Sequence, residues 1–281
     1  MTISTATKPG WLFTLDDSPF VEDSTATQPT SVDTATTTAT KTTAAAPKTA
    51  LFLTESGDST AISLNDLHQG QIGDCFLISS IGELARTEST AISNMIKVNA
   101  NGTETVTLHV ASNGQLPGFG TTAFKTTTVV VTNSFQSTSV NNGATQDVVG
   151  GVKEIWPQVL EQAVAQLNGG WSSIAYGGNP VIAMEELTGH AATAMSPASV
   201  TLASLQSMIT ANDMIALDTS PLGNATYNLV GSHAYMFEGL VTKSGTTYVQ
   251  AGNPWGFDQP SLIPVSALKS AFAEIDVGHP T

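Results

Sequence analysis

The chain has 281 residues, and 9 Lys+Arg against 23 Asp+Glu give it a formal net charge of −14. Its length and 41% hydrophobic content allow one large domain or two lobes with a sizeable core, while the scarcity of basic residues excludes nucleic acid and anionic membrane surfaces as partners. A single cysteine excludes an internal disulfide framework.

The first ten residues contain no basic stretch leading into an apolar run, and no apolar run approaches the ~20 residues that span a bilayer. The sequence therefore predicts neither a classical signal peptide nor membrane insertion, and it leaves compartment and oligomeric state unread. Residues 24–50 are dominated by Thr, Ala, Ser and Pro. Such a stretch buries too little apolar surface to offset its ordering entropy, so 1–50 is read as a disordered Thr/Ala-rich segment. Trp11-Leu12-Phe13 and Phe20 form a small apolar island within it.

The folded unit is expected to begin near Leu51. From Asp74 the apolar positions Leu77, Ile78, Ile81, Leu84 and Ala85 recur at helical spacing. Asp74 is placed as the N-cap, and Cys75 falls in the first turn. Strands follow at 106–108 and 128–131. A second helix is expected over 153–167, closed by Gly169-Gly170. A third opens at Pro180 after Asn179 and ends before Gly189; its Glu185-Glu186 pair is read as solvated. Beyond Met214 the chain turns strand-rich, at 214–218, 234–241 and 248–251. Helices early and strands late predict an α+β protein of two lobes, 51–190 and 191–281.

A cysteine at a helix N-terminus sits where unpaired N–H groups and the helix dipole stabilise a thiolate. Gly70 and Gly73 upstream allow close backbone approach. Gln69 supplies an amide that, with the Cys75 N–H, makes an oxyanion hole. Farther on, His233 opens one strand of a hairpin, Lys243-Ser244-Gly245 turns it, and the returning strand leads to Asn253. Antiparallel pairing makes His233 and Asn253 neighbours. Cys75, His233 and Asn253 then form a nucleophile, a base and an orienting amide. Trp255, in Pro254-Trp255-Gly256, places an indole over the His–Asn pair, excluding water. His68, His109, His190 and His279 are dispersed without metal-ligand spacing, so no residue is assigned to a metal.

These residues resemble the calpain family of cysteine proteases. Gln69-Gly70-Gln71-Ile72-Gly73-Asp74-Cys75-Phe76-Leu77 is similar to its cysteine motif. Ile155-Trp156-Pro157, Leu160-Glu161, Leu167-Asn168-Gly169 and Gly177-Gly178 resemble its central helix and following turn, and Glu186-Leu187-Thr188-Gly189 the motif after that. His233-Ala234-Tyr235 and Asn253-Pro254-Trp255-Gly256 resemble its histidine and asparagine motifs. The resemblance implies a papain-like core with a cysteine lobe and a histidine/asparagine lobe, and a thiolate–imidazolium resting pair. It implies an endopeptidase acting on protein or peptide substrates through a thioester acyl-enzyme. It assigns Gln69 to the oxyanion hole, Trp255 to shielding the triad and Gly178 to backbone contacts with substrate.

The sequence departs from that pattern in four places. Phe76 stands for the usual Trp, Gly252 for an Arg and Ser232 for a Gly. Ser172-Ser173 lies where family members often carry an acidic residue linked to calcium. No EF-hand pattern occurs. Acyl transfer by this triad requires no cofactor, and calcium is left open. Two other readings stay open as well: a non-proteolytic acyl transferase using the same triad, and a papain-like fold serving as a catalytically silent binding module.

Overall fold

The computed structural model describes residues 48–54, 59–141 and 148–280. Most of the expected linker and its apolar island lie outside these residues. The segment's last three do not: Lys48–Ala50 forms β1 and pairs in parallel with β6, Val152–Glu154. The backbone N–H groups of Ile155 and Trp156 then donate to the carbonyls of Ala50 and Leu51 at 3.1 Å. That pairing shortens the second expected helix. The sequence reading places Lys153 and Glu154 in that helix, but strand pairing claims them, and α2 (Trp156–Leu167) starts only where Pro157 fits a first turn.

In chain order the elements continue with α1 (Cys75–Met95), β2 (Ile96–Val98), β3 (Glu104–Ala111), β4 (Phe124–Val131), β5 (Val148–Val149), α3 (Pro180–Thr188), β7 (Thr193–Met195) and α4 (Leu202–Thr210). The second half adds β8 (Met214–Asp218), β9 (Ala234–Lys243), β10 (Thr246–Gly252), β11 (Ile263–Pro264), α5 (Leu268–Ala271) and β12 (Glu274–Gly278). The chain is thus α+β. Its strands form three sheets, ordered β1-β6-β5, β2-β3-β4 and β11-β10-β9-β8-β12-β7. No described helix is long and apolar enough to cross a membrane.

Apolar side chains gather in two clusters. The first joins α1 (Leu77, Ile78, Ile81, Leu84), α2 (Trp156, Val159, Leu160) and β3 (Val106, Leu108). The second lies on the other face of the six-stranded sheet, with Leu205 of α4, Tyr235 and Phe237 of β9 and Ile275 of β12. Strand β8 serves both, because its side chains alternate: Met214 and Ala216 enter the first cluster, Ile215 and Leu217 the second.

Two features seat α1 on this sheet. A Cβ at Gly82 would collide with the Met236 side chain, so only glycine permits the close approach. One residue on, Glu83 is fully buried and its carboxylate ties the helix to two strands. It accepts the N–H of Phe237 and the N–H of Ile215, each at 2.8 Å, and pairs with Arg86 Nη2 at 2.6 Å. Burial pushes its pKa up while Arg86 opposes the shift.

Candidate active site

Cys75 is the first residue of α1, and the loop before it is clamped from two sides. Gln71 N–H donates to Thr138 O at 2.9 Å, Gly73 N–H to Ala175 O at 2.7 Å, and Gly177 N–H to Gly73 O at 2.8 Å. Asp74 occupies the N-cap position, as expected from sequence, but its side chain makes no capping bond. It is buried and accepts a hydrogen bond from Gln69 Nε2 at 3.1 Å. Burial raises its pKa to about 6. Its neighbour Glu161, pushed well above the usual carboxylate range by burial and by Asp74, receives the Val140 N–H on both oxygens at 3.0 Å. Two buried carboxyl groups in this relation share a proton rather than two charges.

The expected thiolate is not what this environment favours. Burial pushes the Cys75 thiol up to about 12, and the charges of Asp218 and Asp74 add to the shift; the Ala234 backbone N–H works against it. The helix N-terminus is outweighed because the low-dielectric setting penalises the anion and both nearby charges are negative. The residue as a whole nevertheless stays partly accessible.

His233 immediately precedes β9. Its N–H donates to Thr219 Oγ1 at 3.0 Å, and Ser79 Oγ of α1 donates to the adjacent Ala234 carbonyl at 2.9 Å. On the return strand a register shift at Gln250/Ala251 pairs Gly252 with Met236, which brings Asn253 one position nearer His233 than an unbroken ladder would. His233 Nε2 and Asn253 Oδ1 are 2.9 Å apart. The amide orientation follows from its other bonds: Asn253 Nδ2 donates to Asp258 O at 3.1 Å, and Trp255 N–H donates to Oδ1 at 3.1 Å. Oδ1 therefore accepts from His233, which puts the imidazole proton on Nε2 and leaves Nδ1 as a lone pair. Burial lowers the His233 pKa, partly offset by Asn253, which favours the neutral ring.

The indole of Trp255 packs against His233 with centroids 4.8 Å apart, and Phe257 continues the aromatic surface 5.7 Å beyond Trp255. Gln69 reaches the same place through its backbone, its N–H donating to Pro254 O at 2.7 Å. Its side-chain amide is engaged: Nε2 donates to Ile72 O at 2.9 Å and to Asp74, while the buried Oε1 has no hydrogen-bond partner. Gly178 is exposed, and the Phe76 ring occupies the space that a side chain at this position would need.

Several residues that hold the site were not read from sequence: Glu161, Thr219, Asp258 and the exposed aromatics Tyr176 and Phe257. Glu185 and Glu186, read as solvated, are buried. Ala192 N–H donates to Glu185 at 3.2 Å and Asn168 Nδ2 to Glu186 at 3.1 Å. Ser232, the residue before His233, has φ +50°, a left-handed conformation that glycine adopts more readily than serine.

A helix-terminal cysteine beside the strand that begins after a histidine, with an asparagine fixing the ring, is the kind of site found in cysteine peptidases. Residues 48–260 match the sequence model of the calpain family cysteine protease, and the chain belongs to that family. No curated protein matches it.

Proposed function

We propose that the chain is a cysteine endopeptidase with Cys75 as nucleophile, His233 as base and then acid, and Asn253 orienting the imidazole. The observation that carries this reading is the His233–Asn253 hydrogen bond, because it holds the ring by Nε2 and leaves Nδ1 as the nitrogen that can take a proton. The resting pair is neutral, in line with the raised thiol and the lowered imidazole. When a peptide carbonyl is bound, the Cys75 proton passes to Nδ1 as sulfur attacks the carbonyl carbon. The oxyanion is received by the Cys75 N–H at the helix start and by Gln69 Nε2, which exchanges one present acceptor for the new charge. The imidazolium then protonates the leaving amine. Water, activated by the same nitrogen, cleaves the thioester and restores the thiol.

The two apolar clusters are taken as the cores of a papain-like pair of lobes. Protein segments in extended form suit the exposed backbone at Gly177-Gly178, and Tyr176, Trp255 and Phe257 offer aromatic surface to apolar substrate side chains. The test is hydrolysis of an unfolded protein by the wild type and by Cys75→Ala, each with calcium and with chelator. Cleavage lost in the variant supports the nucleophile, and the calcium arm decides the metal question separately. Cleavage by folded Cys75→Ala refutes the assignment. No cleavage by folded wild type under any condition leaves the silent binding module as the better reading.

A further inference from the structure

Strands β8 and β12 run antiparallel with Asp218 opposite Glu274 and Ala216 opposite Asp276. Period-two alternation puts Asp218, Glu274 and Asp276 on one face, the face that Met214 and Ala216 turn toward the first core. One oxygen from each of the three carboxylates lies within 4.8 Å of the other two. Asp218 and Glu274 are partly accessible, whereas Asp276 is fully buried. Neither Asp276 oxygen nor Asp218 Oδ1 receives a hydrogen bond from a described residue outside the cluster. Neither the Arg86–Glu83 nor the His279–Asp213 ion pair reaches this cluster.

A buried carboxylate without donor or counter-ion is costly. The three groups converge from two strands and keep one side open to solvent. We propose that Asp218, Glu274 and Asp276 form a binding site for a hard divalent cation of the calcium class. Two oxygens on one calcium ion are at most about 4.6–5.2 Å apart, and separations within 4.8 Å are compatible with that limit. Carboxylate oxygens alone, with neither His nor Cys among them, select calcium, magnesium or manganese over zinc or copper.

The experiment uses the full chain carrying Cys75→Ala, so that its outcome is independent of proteolysis. Calorimetric titration with calcium, magnesium and manganese chloride is read beside the shift each salt produces in the unfolding midpoint. The proposal expects one-to-one binding with calcium preferred, weakened at least about tenfold by Asp276→Asn. If Asp276→Asn fails to fold, Asp218→Asn at the accessible rim is expected to weaken binding in the same way. No binding and no midpoint shift with any of the three salts up to about 10 mM, well above the weakest affinities of calcium modules, overturns it. Binding that is undiminished in the folded variants overturns it equally.

Discussion

Adding one methyl group at Gly178 probes how closely the substrate edge is coupled to the nucleophile. A Cβ built there lies 2.5 Å from Cε2 and 2.6 Å from Cε1 of Phe76. Ordinary contact begins near 3.4 Å, so the ring and the glycine backbone must part by close to 1 Å. Phe76 is buried, belongs to the first turn of α1 and is the residue after Cys75, so a displaced ring moves the helix start. Overpacking of this kind costs about 1–3 kcal/mol of stability, and a 1 Å misplacement of reacting groups costs roughly a hundredfold in rate. Gly178→Ala is therefore expected to lower kcat/KM on an unfolded protein substrate by about two orders of magnitude, with a modest fall in the urea midpoint. Phe76→Leu, which makes room beside the added methyl, is expected to restore part of both losses when combined with it. Full activity and unchanged stability in Gly178→Ala would show that the ring does not transmit strain to Cys75.

Asn253→Ala removes the acceptor that holds the His233 proton on Nε2; turnover is expected to drop about a hundredfold with KM little changed, and unaltered steady-state kinetics would remove Asn253 from the site. Glu83→Ala strands two buried strand N–H groups and Arg86, so calorimetry should find the fold weakened by about 3–5 kcal/mol; a loss under 1 kcal/mol contradicts the reading of this carboxylate as a tie. Glu186 is raised by burial to about 7, so its folded pKa exceeds its unfolded one. The stability it contributes is complete below the unfolded pKa of 4.5 and is lost as pH rises through about 7. Denaturant midpoints should accordingly fall between about pH 5 and pH 8, and Glu186→Gln should flatten that slope.

The sequence carried local information faithfully. Asn179 caps α3, with its Oδ1 receiving the Val181 N–H at 2.8 Å, and Gly189 ends the helix at φ +72°. The turn at Ser244-Gly245 set up the hairpin that brings His233 beside Asn253. What escaped reading depends on partners distant in the chain. The thiol of Cys75 was judged by its helix alone, while the opposing charge of Asp218 arrives from β8. Glu83, Glu161 and Glu185-Glu186 look like ordinary surface acids until the strands, loops and amides that receive them are in place. Helix α4 was not anticipated, since just Leu205 and Met208 of its residues are buried and its apolar pattern is too thin to read.

The Glu83 tie has a mechanical meaning. It lies two helical turns from Cys75, about 12 Å along α1, and fastens that helix to β8 and to β9, the strand His233 leads into. Cys75 and His233, the proposed nucleophile and base, thus sit on elements that one carboxylate ties into a common body. Heat should silence the protein only as that body melts, in one step. Any gate on substrate entry has to be sought in the loops around Tyr176 and Phe257, at the rim, and not in a hinge that separates the two reacting side chains.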